Sequence, residues 1–115
     1  MTEASVLNID TDSLVQAWQK TLPTVMKTSD ECHIQADEKF PDTLLIHIKN
    51  AGRSHYSFDF RCKYVDKREV HVDFLDVEQD NKSIDEQTED IRLLIEDYIR
   101  DIHECAQQLK GLTKQ

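Results

Sequence analysis

The chain has 115 residues, enough for one domain, and combines 38% hydrophobic with 32% charged residues and only two Gly and two Pro. Its formal net charge of −9, from 23 acids against 14 bases, repels phosphate backbones and anionic lipid, which argues against direct binding to nucleic acid or a membrane surface. No run approaches the ~20 apolar residues of a membrane span, the N-terminus MTEASVLNID lacks the basic region of a signal peptide, and three cysteines without a CxxC pair read as reduced thiols, so a cytoplasmic location is expected.

Residues 1–10 form a leader whose Val6, Leu7 and Ile9 can pack on the domain or add a short edge strand. Residues 11–28 read as a helix, with Asp10, Thr11 and Asp12 as N-cap candidates. Leu14, Val15, Trp18, Leu22, Val25 and Met26 make one apolar stripe. Pro23 removes a helical N–H and crowds the preceding turn, which predicts a kink or restart near Thr21.

Four strands follow. Cys32, Ile34 and Ala36 alternate with His33, Gln35 and Asp37, and Leu44, Ile46 and Ile48 alternate with Leu45, His47 and Lys49. Pro41 keeps the intervening segment out of a ladder. Asn50-Ala51-Gly52 reads as a three-residue hairpin loop with Gly52 in the left-handed region. Tyr56, Phe58, Phe60, Cys62 and Tyr64 then alternate with polar residues, as do Val70, Val72 and Phe74 after the turn at Asp66-Lys67-Arg68. Continued alternation would turn Leu75 and Val77 outward, beside Leu45.

From Ser83 the period becomes helical. Ser83 and Glu86 match a capping box. Ile91, Ile95, Tyr98, Ile102, Cys105, Leu109 and Leu112 recur at spacings of four and three, predicting a helix over 84–110 with Gly111 as its stop. The expected fold is α+β: a single domain over 1–115, in which an N-terminal helix and a long C-terminal helix cover one face of a four-stranded antiparallel meander, a two-layer α-β-β-β-β-α sandwich.

Enzyme signatures are missing. There is no G-x-S-x-G, no phosphate-binding glycine loop, no dinucleotide fingerprint and no H-E-x-x-H. The expectation is therefore that the protein is not an enzyme and needs no cofactor. Two constellations remain. If inward residues pair with inward residues, His33, His47 and His55 fall side by side on the wet sheet face, neighbours ~5 Å apart. Such imidazoles could hold zinc weakly or respond to protons, although exposed histidines are also ordinary surface residues. The second constellation is the acid of the last helix. Asp85, Glu86, Glu89 and Asp90 suit a helix N-terminus, but Glu96, Asp97, Asp101 and Glu104 carry the negative field further along. A solvated helix face is the common reason for such a run; a docking surface for a basic partner is the functional one.

Helix–meander–helix order resembles frataxin-like domains and small acidic secretion chaperones in architecture alone. Residues 13–28 contain no Asp or Glu, so the acidic first-helix ridge of frataxin-like proteins, and the iron binding it implies, has no counterpart here. Secretion chaperones interleave their helices and strands in another order. The reading that follows is a small acidic regulator, inhibitor, immunity factor or chaperone-like protein. It would bind a basic protein, including a DNA-binding one, through Glu89, Asp90, Glu96, Asp97 and Asp101. The alternative is a metal- or pH-responsive module built on the histidine row. Apolar surplus at Leu93, Leu94 and Ile99 also suggests homodimerisation.

Overall fold

The computed structural model describes residues 7, 9–26, 29–52, 55–67, 69–80, 82–84 and 88–113. The elements are α1 (Thr11–Val25), β1 (Glu31–Ala36), β2 (Thr43–Lys49), β3 (Tyr56–Tyr64), β4 (Val70–Gln79), β5 (Lys82–Ser83), α2 (Glu89–Gln108) and α3 (Lys110–Thr113). The expected α+β order is present, and a two-residue strand, β5, is added to it. All strands lie in one antiparallel sheet in sequence order.

Helix α1 starts where Asp10 accepts a hydrogen bond from the Ser13 N–H at 2.9 Å. Hydrogen bonds from Ser13 hold the Asp10 carboxyl below its usual range. Its contribution is therefore full above the ordinary carboxylate pKa and is lost as the pH falls through the lowered one. The helix does not restart near Thr21: α1 runs without interruption through Pro23 to Val25. Pro23 sits in the last turn, where its missing N–H forfeits a single bond to the Gln19 carbonyl.

Leu14, Trp18 and Leu22 of α1 meet Ile34, Leu44, Ile46, Ile48, Phe58, Phe60 and Cys62 of the sheet, with Ile91, Tyr98, Ile102 and Cys105 of α2 completing one core. Leu7 joins it at 6% exposure; Val6 lies outside the described residues. Two buried polar contacts anchor the far end. The Trp18 Nε1–H donates to the Tyr64 hydroxyl at 3.1 Å, and the Thr113 hydroxyl donates to the Lys67 carbonyl at 3.0 Å.

Helix α2 begins at Glu89 with Thr88 as N-cap, later than the expected start at 84. Ser83 pairs with Glu78 in β5, while Asp85 and Glu86, the latter the other half of the expected capping box, lie outside the described residues. The β4–β5 hairpin explains the change: Gln79 pairs with Lys82 across a two-residue turn, and Asp80 takes the left-handed conformation (φ 52°) that such a turn requires. At the other end α2 stops at Gln108 rather than at Gly111, which lies inside α3. The break at Leu109 rotates the last turn, so Thr113 is buried and Leu112 is 39% exposed.

The β2–β3 connection also differs from expectation. Lys49 pairs with Ser57, and Asn50 N–H bonds the Tyr56 carbonyl, so the loop is longer than three residues. Among the described residues of this loop the left-handed one is His55 (φ 57°), not Gly52. A Cβ at Gly52 would lie 2.6 Å from the Asn50 Oδ1 that its own N–H binds, so a larger residue there must displace that side chain. In β4 a bulge intervenes: Phe60 pairs with Phe74, but Asp59 pairs with Asp76, leaving Leu75 as the extra residue. The bulge corrects the expected exposure of Val77, which turns inward and is fully buried, while Leu75 is 42% exposed.

The two outer edges of the sheet are treated differently. At β1 the Gln19 side chain acts as a surrogate strand. Its Nε2 donates to the Cys32 carbonyl at 2.9 Å, and its Oε1 accepts from the Ile34 N–H at 2.8 Å. At β4 the partner strand β5 reaches only Glu78 and Gln79, with the Ile84 N–H adding a bond to the Val77 carbonyl.

Candidate functional site

Six carboxylates and two arginines lie on α2. Helical periodicity places Asp90, Asp97, Asp101 and Glu104 on one flank, at successive steps of seven, four and three residues. Glu89 and Glu96 lie nearer the helix crest, with Arg100 among them, and its guanidinium bonds Asp97. Glu89, Asp90, Glu96 and Glu104 are exposed, and Asp97 and Asp101 are half-buried. All five residues singled out from the sequence therefore reach the surface of one helix, with Asp90, Asp97 and Asp101 in line and Glu89 and Glu96 displaced around it.

The flank is held in place by Tyr98. Its ring packs against Phe58 at 5.1 Å between centroids. Its hydroxyl donates to Asp30 Oδ2 at 2.9 Å and accepts from Asn50 Nδ2 at 2.8 Å. Burial pushes this hydroxyl well above its ordinary range, so it remains a donor. Asp30 Oδ1 also accepts from the Ala51 N–H at 2.9 Å. This places Asp30, a carboxylate that the sequence pattern does not single out, beside the acidic flank. Tyr98→Phe removes both hydroxyl bonds, and the expected loss is about 1–2 kcal/mol of unfolding free energy in urea, with the far-UV spectrum unchanged.

On the uncovered sheet face the histidine row is only partly assembled. His33 pairs with His47, as the register argument expects. His55 does not join them: the longer β2–β3 loop puts Asp59 opposite His47, and Asp76 comes next across β4. His47 Nδ1 lies 2.7 Å from Asp59 Oδ1. These side chains line a hollow of about 530 Å³ with Leu45 and Leu75. Among the described residues no three His, Cys, Asp or Glu side chains are grouped so as to hold a metal ion. Within this loop the Asn50 Oδ1 accepts from the Gly52 N–H at 2.8 Å.

The thiols sit elsewhere. Cys62 and Cys105 are fully buried and Cys32 is partly buried. Burial raises all three thiol pKa values, that of Cys105 to about 12, so their reactive thiolate forms are suppressed. Among the described residues no helix is long and apolar enough to cross a membrane. No protein-family model, curated protein or solved structure matches this chain.

Proposed function

We propose that the chain is a binding protein for a cationic protein partner, docked on the acidic flank of α2. The observation that carries this reading is the line of Asp90, Asp97, Asp101 and Glu104 along a helix whose adjoining side is locked into the core by Ile91, Tyr98, Ile102 and Cys105. A rigid helix holds these charges at fixed spacing, so a partner meets a preorganised field and loses less conformational freedom on binding. The dipole accounts for Glu89 and Asp90, but its effect falls off within a turn, so it does not account for Asp97, Asp101 and Glu104. The function would be exercised by contact, as a regulator, inhibitor or chaperone of the partner.

The test is capture from source-cell extract with the tagged chain and with a bait carrying Glu89→Lys, Asp90→Lys, Glu96→Lys and Asp97→Lys. The expected result is a basic protein retained at about 50 mM salt and released near 0.5 M, as screening of exposed charge requires. After purification that protein should bind the reversed bait at least about tenfold more weakly. Equal binding to both baits overturns the reading.

A further inference from the structure

The open edge of β4 is the feature that this binding role does not use. Hydrogen bonding alternates along a strand. Tyr64 N–H bonds the Asp42 carbonyl and Asn50 N–H bonds the Tyr56 carbonyl, so the even-numbered residues of β3 face β2 and the odd-numbered ones face β4. The partners of the odd-numbered residues are His71, opposite Lys63, and Asp73, opposite Arg61. Val70, Val72 and Phe74 therefore aim their N–H and C=O groups away from the sheet. Among the described residues no strand pairs with this stretch, because β5 reaches only Glu78 and Gln79.

The stretch is only lightly protected: it carries Asp73, and its bulge at Leu75 lies beyond Phe74. It contains neither Lys nor Pro between Val70 and Val77. Val72 and Phe74 point inward but are only half-buried, whereas the inward residues of β2 and β3 at Leu44, Ile46, Ile48, Phe58 and Phe60 are at most 1% exposed. Among the described residues, apolar surface and unpaired backbone thus coincide on one edge.

We propose that this edge pairs with the same edge of a second copy of the chain, antiparallel across a twofold axis at Val72. The sequence of β4 is self-complementary at that register. Val72 would pair with Val72 of the second copy, and Val70 with Phe74 in both directions, so each outward backbone group is used. On the uncovered face His71 falls opposite Asp73 of the second copy, and Asp73 opposite its His71. His71 Nε2 already lies 2.9 Å from Asp73 Oδ1 within the chain, so each imidazole comes to lie between two carboxylates. Sliding by one step toward the C-terminus sets Asp73 against Asp73, and sliding the other way sets His71 against His71; both leave outward backbone groups unmatched. The second copy's strand also ends opposite Phe74, short of Val77, where Ile84 covers the edge. Homodimerisation by sheet extension buries the half-exposed Val72 and Phe74 and continues the sheet across two chains.

Sedimentation equilibrium of the full chain tests this. The expected result is twice the chain mass at concentrations up to about 0.5 mM, a range that reaches weak dimers. Val72→Pro removes an outward N–H that β3 does not use, and it should sediment as a monomer with the far-UV spectrum retained. His71→Asp sets Asp against Asp73 twice across the axis and should weaken dimerisation about tenfold or more. The exchange His71→Asp with Asp73→His restores the opposition and should restore dimerisation, an outcome independent of how proline is tolerated. A monomeric wild type over the whole range overturns the proposal. So does a Val72→Pro dimer of undiminished affinity, or an exchange variant no tighter than His71→Asp.

Discussion

Trp18→Ala should lower the unfolding free energy by about 3–5 kcal/mol, which for a domain with some 5–15 kcal/mol in total leaves little folded margin. Trp18 is fully buried, and its ring meets Tyr64 edge-on at 6.4 Å and 86°. Two losses combine. Truncation opens a cavity between α1 and the sheet that rigid strands cannot collapse into, and it removes the indole N–H that Tyr64 accepts at 3.1 Å. Tyr64 is itself 2% exposed, so its hydroxyl loses a donor in a buried setting. The measurement is urea unfolding followed by far-UV circular dichroism, because Trp18 is the single tryptophan of the chain and its fluorescence is lost with it. Trp18→Phe separates the terms: it refills most of the volume but leaves the Tyr64 oxygen without its donor, so an intermediate loss is expected. A loss below about 1 kcal/mol for the alanine variant would contradict the packing described here, since full burial of an aromatic ring is worth more than that.

Gln19→Leu is expected to cost about 1–3 kcal/mol and to change the behaviour of the folded chain. Leucine covers much of the same surface but neither donates to Cys32 nor accepts from Ile34. The edge of β1 is then left with a bare carbonyl and a bare N–H between α1 and solvent. Gln19→Glu distinguishes the two bonds: it keeps the acceptor for Ile34 but sets an oxygen against the Cys32 carbonyl, so it should be destabilised too. The readouts are the urea midpoint and light scattering of the native protein at rising concentration. An unchanged midpoint for both variants would mean that the amide contributes nothing to closing the edge.

The fold was legible because alternation and helical spacing report burial directly. Ile34, Ile46, Phe58, Phe60 and Tyr64 turn inward as their positions require, and Ile91, Tyr98, Ile102 and Cys105 do so on α2. Period two, however, determines a strand's face and not its partner. The β2–β3 register differs from the expected one by an even number of residues, so every apolar side chain keeps its face while His47 meets Asp59 instead of His55. The loop carries a side-chain bond at Asn50 and a left-handed His55, and neither is visible in a hydrophobic pattern. The bulge is the converse case. One extra residue at Leu75 reverses the parity of β4, which is why Val77 is in the core. The acidic flank was legible as a spacing of Asp90, Asp97, Asp101 and Glu104. Asp30 and Asn50 belong to its setting only through Tyr98, a contact between residues 68 and 48 positions apart.

The unequal treatment of the two sheet edges sets a stoichiometry. A protomer with two available edges is a bifunctional monomer, and its assembly has no end point. Here Gln19 occupies the β1 edge at Cys32 and Ile34, so on the proposed pairing each protomer offers only its β4 edge, and assembly would terminate at two, as a closed twofold pair rather than a fibre. In these terms Gln19 is a chain terminator. Its replacement by Leu should convert a dimer into a distribution of longer species, each added chain entering through the β1 edge that the glutamine amide otherwise occupies.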